Sequence, residues 1–132
     1  MMDTKCSQAY ECKIFIGSKN EYLKQYFDRS ILLEYIQGFQ DNYHKLIPVR
    51  VTGTEFVCGS KYQESGWEIA VINYPKLDLC IEEIEYFCEQ LTEYLTDRLR
   101  QKRVTLMTPS ISTMYYTPLC FPQSASSKAA SP

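Results

Sequence analysis

The sequence predicts an α+β domain. Its sheet is antiparallel, with two helical segments on one face, in the ferredoxin-like order β-α-β-β-α-β plus a C-terminal strand. Three features carry this reading. Short apolar runs of strand length recur, each bounded by glycine or proline. Two longer stretches repeat their apolar residues at helical spacing. The long stretches fall between strands, and stacking both on one sheet face is the economical way to bury them.

Lys13–Ile16 is a short apolar run ending at Gly17 and reads as a buried strand. Ser18, with Glu21 three residues on, has capping-box spacing and predicts a helix start. The helical region continues to Tyr43 with a restart near Asp28–Ser30, and Ile31, Leu32, Tyr35, Ile36 and Phe39 form its apolar stripe. After Pro48, Val49 and Val51 alternate with Arg50 and Thr52 as a half-buried strand does, and Gly53 suggests a bulge. Gly59–Gly66 is polar with glycine at both ends and predicts a hairpin loop. Trp67–Tyr74 is the strongest strand, apolar on both faces at Ile69–Ile72, and Pro75 ends it. Asp78 is the expected N-cap of a second helix with Ile84, Phe87, Cys88, Leu91, Leu95 and Leu99 on one stripe. Its acidic start and basic end complement the helix dipole. Val104–Met107 and Thr113–Tyr116 are two further strands around a turn at Pro109–Ser112.

The expected organisation is an irregular N-terminus over 1–11, one domain over 12–118 and a disordered Ser/Ala/Pro-rich tail over 119–132. A net charge of −2 excludes a strongly basic binder of long nucleic acids. No apolar run approaches 18 residues, so no membrane span is expected. Met1–Glu11 lacks an apolar signal core, which points to a reducing, cytoplasmic setting in which the six cysteines stay free. None of them has C-x-x-C spacing, so neither a metal nor another cofactor is expected. Eleven tyrosines suit half-buried faces, interfaces and ligand pockets.

Chain threading supplies a site address. With Lys13–Ile16 and Trp67–Tyr74 taken as central parallel strands, their ends meet the starts of the second and fourth strands on one rim. That rim would gather Ser18, Lys19, Asn20, Arg50, Asn73, Tyr74, Lys76 and Arg103. Backbone N–H groups after Gly17-Ser18 would hold an anion, Arg and Lys would add charge, and Tyr74 would stack on a base. Asn73, at the end of a central strand, would read a ligand or cap the following turn.

Catalytic candidates are sparse. His44 is the sole histidine and suits a dipole partner at a helix end. Glu55 and Glu68 would be neighbours on paired strands. The resulting expectation is a non-enzymatic, homo-oligomeric module that sequesters or senses a small anionic, nucleotide-like ligand. Oligomerisation is expected because an edge strand needs cover. The alternatives are a protein–protein interaction or inhibitor module without a small ligand, and a small phosphoesterase.

Overall fold

The computed structural model describes residues 2–117. In chain order the elements are β1 (Glu11–Gly17), β2 (Lys19–Asn20), β3 (Gln25–Tyr26), α1 (Arg29–Asp41), β4 (Arg50–Val57), β5 (Gln63–Ile72), a 3-10 turn (Pro75–Leu77), α2 (Ile81–Arg98), β6 (Arg103–Met107) and β7 (Ser112–Tyr116). Five strands form one sheet in the order β4-β5-β1-β6-β7, and β2 and β3 form a small separate hairpin. This is the α+β class, strand order and antiparallel sheet that the sequence predicts. The disordered-tail expectation for 119–132 lies outside the described residues.

Strand direction differs from expectation at the centre. β1 and β5 pair antiparallel, Ile14 opposite Ile69, where parallel strands were expected. The cause is chain geometry. The α1 crossover returns β4 in the direction of β1, and a tight turn then reverses the chain into β5. β5 lies between the two and opposes both.

The β4–β5 hairpin is also tighter than the sequence suggested. Cys58 N–H donates to the Tyr62 carbonyl at 3.1 Å, and Gly59 takes the positive φ of 74° that the turn requires. The second half of the expected loop over Gly59–Gly66 is therefore strand, and Trp67 faces Gly53 with no bulge between them. Glu55 pairs with Ser65 and Glu68 with Thr52. The odd offset between the two glutamates puts them on opposite faces, so they are not a carboxylate pair.

Both helix starts move as well. α1 begins at Asp28, whose side chain accepts the Ile31 N–H at 3.1 Å, and not at Ser18. Asp78 is left-handed, with φ 52°, and so cannot cap α2. Cys80 takes the N-cap, with Glu83 accepting its N–H at 2.9 Å.

The core lies between the helices and one sheet face. Cys12, Ile14 and Ile16 of β1 alternate inward with Lys13, Phe15 and Gly17 outward. They meet Trp67, Ile69 and Val71 of β5, Val104 and Leu106 of β6, Leu32 and Ile36 of α1, and Ile84, Phe87, Leu91 and Leu95 of α2. Phe27 stacks on Trp67 with centroids 5.3 Å apart. Cys12 and Cys88 are buried, and the Cys88 thiol is pushed up by its hydrogen bond with Cys12 and by burial. No disulfide forms among the described residues. His44 lies beyond the last turn of α1 and stacks on Tyr43 at 4.5 Å.

The other sheet face carries no helix. Register places Arg50, Thr52, Thr54 and Phe56 of β4 there, beside Ala70, Glu68, Gly66 and Glu64 of β5 and Lys13, Phe15 and Gly17 of β1. Gly66 sits where backbone and ring come closest. An added Cβ would stand 2.3 Å from the Ile16 carbonyl oxygen and 2.6 Å from the Phe56 ring. Gly53 has open space around it. Gly66→Ala is therefore expected to cost about 1–3 kcal/mol by overpacking, and Gly53→Ala to leave stability close to wild type. Urea denaturation of both variants checks this, and equal midpoints would refute the close approach.

Candidate functional site

Opposed strands split the expected rim in two. The end of β1, the end of β4 and the starts of β5 and β6 share one edge, which carries Ser18, Lys19, Asn20 and Arg103. The start of β4 and the end of β5 lie at the other, with Arg50, Asn73, Tyr74 and Lys76. The eight residues do not converge.

The second group has structural partners. Arg50 pairs with Glu11 at 2.9 Å. Asn73 ties down the segment before β1: its amide donates to the Gln8 carbonyl at 2.8 Å, its N–H to the Tyr10 carbonyl at 3.1 Å, and its own carbonyl accepts from the Ser7 hydroxyl at 3.0 Å. It is therefore a strap and not a turn cap. The Tyr74 carbonyl accepts the Leu77 N–H at 3.0 Å, and Lys76 lies in the 3-10 turn.

The first group borders a cleft of about 440 Å³, lined by Phe15, Gly17, Phe56, Tyr62, Glu64 and Arg103, with Glu21, Gln101, Lys102 and Thr105 completing it. That volume lies in the range of roughly 300–1,000 Å³ typical of small-molecule sites. At its centre is Glu64. One carboxylate oxygen accepts the Ser18 N–H at 2.8 Å and the Lys19 N–H at 3.2 Å, and the other accepts the Tyr62 hydroxyl at 2.7 Å. The backbone donors expected to hold an anion are thus filled by the protein's own carboxylate. At those N–H groups the protein sets a carboxylate where the sequence suggested a bound anion.

Local sequence explains the arrangement. Gly17 has no side chain, and a Cβ there would stand 2.2 Å from the Glu64 carboxylate oxygen. Ser18 does not start a helix because its carbonyl, which would accept the N–H four residues on, accepts the Phe27 N–H at 2.8 Å. Asn20 folds the loop instead, its side chain accepting the Tyr22 and Leu23 N–H groups. Buried Gln101 donates to the Lys19 carbonyl at 2.8 Å, and Glu21 N–H donates to the Arg100 carbonyl at 3.0 Å. These two bonds clamp the loop to the segment that leads into β6. Thr117 closes the same rim, its N–H on the Lys102 carbonyl and its hydroxyl on that of Gln101.

Phe56, Tyr62 and Glu64 were not singled out in the sequence, and Glu21 was named only for a helix start. Tyr62 and Glu64 fell inside the expected loop, and only the alternation through Tyr62, Glu64 and Gly66 hinted that strand β5 begins so early. The described residues contain no cluster of His, Cys, Asp and Glu suited to a metal ion. None of their helices is long and apolar enough to cross a membrane.

No protein-family model matches the sequence, and no curated protein does. Two solved structures share the architecture. A phage SAM lyase in the apo state superposes with a TM-score of 0.72 at 13% identity, over 89% of this chain and 98% of that one. A phage SAM lyase in complex with S-methyl-5'-thioadenosine gives a TM-score of 0.64 at 14% identity, over 89% and 96%. At these identities the likeness establishes the fold.

The phenol of Tyr62 reports on the site. Its hydrogen bond to Glu64, then burial, pushes it up to about 12 from an ordinary value of 10.0. The folded state favours the neutral phenol, so this contribution is complete below about pH 10 and is lost as pH rises towards 12. Glu64→Gln is expected to return Tyr62 to the ordinary tyrosine range. The measurement is alkaline tyrosinate absorbance, with Tyr62→Phe subtracted to isolate the one phenol. Superimposable Tyr62 curves for wild type and Glu64→Gln would contradict the coupling.

Proposed function

We propose that this chain binds S-adenosylmethionine, or the thionucleoside formed from it, in the sheet-face cleft, and that it cleaves the sulfonium as a lyase. The Glu64 carboxylate carries this reading. It is fixed by three donors in the wall of a cleft, on a fold shared with a protein solved with S-methyl-5'-thioadenosine.

The chemistry fits the residues. A sulfonium has a permanent positive charge and no proton to donate, so its natural partner is a preorganised carboxylate. Phe15, Phe56 and Tyr62 supply the apolar and aromatic walls that a nucleoside base needs. The carbon–sulfur bond breaks as the substrate's own α-carboxylate oxygen attacks the γ-carbon, which closes a lactone and releases a neutral thioether, so no general acid is needed. Such a reaction asks the protein for positioning and electrostatics, not for a nucleophile–base pair. A phosphorylated ligand fits less well, because Glu64 fills the N–H pair it would use and repels its charge.

The test is binding and turnover with S-adenosylmethionine, S-methyl-5'-thioadenosine and ATP. Saturation at a hundredfold excess over Kd should stabilise the protein by about 2.7 kcal/mol, raising Tm by roughly 10 °C for a domain of this size. Chromatography should show S-methyl-5'-thioadenosine accumulating from S-adenosylmethionine. Glu64→Gln should weaken S-adenosylmethionine about tenfold or more through loss of a charge-assisted contact. Binding without turnover would leave a sequestering module, and no response to either sulfur compound would remove the reading.

A further inference from the structure

We propose that Arg103 recognises the α-carboxylate of the ligand's amino-acid arm, with Glu21 beside it as acceptor for the α-ammonium, so that the cleft distinguishes amino-acid-bearing nucleosides from bare thionucleosides. This rests on the reading above and assigns the charged end of the same site.

The cleft carries two sets of charge. Glu64 and Tyr62 form one, closed on the Ser18 and Lys19 N–H groups. Arg103, Lys102 and Glu21 form the other. Arg103 opens β6, and register places it on the same sheet face as Thr105, which pairs with Phe15. Both sets line one cleft, and the charges of Arg103 and Glu21 act on the Tyr62 phenol with opposite effect. The backbone bond from Glu21 to the Arg100 carbonyl and the Gln101 clamp hold the second set together.

Among the described residues no ion pair ties Arg103 or Lys102, and Glu21 has only an exposed contact with Lys24 at 3.5 Å. An exposed pair of that length is weak and leaves the carboxylate open to a ligand. A guanidinium matches a carboxylate with two parallel hydrogen bonds, which lysine cannot reproduce. An amino acid carries both signs on one carbon, and an arginine next to a glutamate is their complement. Glu64, in the same cleft, is then left for the sulfonium.

Three ligands separate the assignments. S-adenosylmethionine has the arm and the charged sulfur, S-adenosylhomocysteine the arm alone, and S-methyl-5'-thioadenosine neither. In calorimetric titrations, Arg103→Met is expected to weaken S-adenosylmethionine and S-adenosylhomocysteine by ten- to a hundredfold and to leave S-methyl-5'-thioadenosine within twofold of wild type. Arg103→Lys should restore little of the loss. Equal weakening of all three ligands, or of none, overturns the Arg103 assignment while the wild type still binds. A wild type that binds none of the three overturns the parent reading and this one together.

Discussion

The candidate cleft depends on one carboxylate meeting two backbone N–H groups. Glu64 reaches from β5 to the chain as it leaves β1 and accepts from Ser18 and Lys19. Without that acceptor the two donors would need water or another partner, because a buried N–H is costly to leave unpaired. At the same place the Ser18 carbonyl, which a helix starting there would offer to the N–H four residues on, accepts from Phe27 instead, so the chain makes a small hairpin and the helix waits for Asp28. The cleft exists because a loop, and not a helix, borders this rim.

Much of the fold was legible because its causes are local. The stripe on α2 follows from residues three and four apart, and the burial of Ile84, Phe87, Leu91 and Leu95 agrees with it. The alternation of β1 is equally direct. Errors arose where two local rules competed. Ser18 and Glu21 have the spacing of a capping box, but a residue forty-six positions away claims the Ser18 N–H. Asp78 is a good capping residue by type, yet its left-handed backbone places it outside the helix.

The site was less legible for a topological reason. A crossover followed by a tight hairpin fixes β5 opposite to β1, and treating them as parallel moved four residues to the wrong rim. Asn73 looked like a reader of ligands because it is polar at the end of a central strand. It holds the amino-terminal segment instead. The residues that build the cleft were hidden for another reason. Tyr62 and Glu64 belong to a polar stretch whose glycine ends resemble a loop, and the pairing of β4 with Gln63–Gly66 shows that its second half is strand.

The rims differ in what leaves from them. Thr117 is bonded to Lys102 and Gln101 beside the cleft, whereas Ser7 and Gln8 are held at Asn73 on the far side. A reporter or affinity handle joined just after Thr117 would start out beside the cleft, against Lys102 and Gln101, in space that the proposed ligand would use. The same handle before Ser7 would begin roughly one strand length away, about 20 Å. Immobilisation or dye labelling for solution work therefore belongs at the amino-terminal side of this domain.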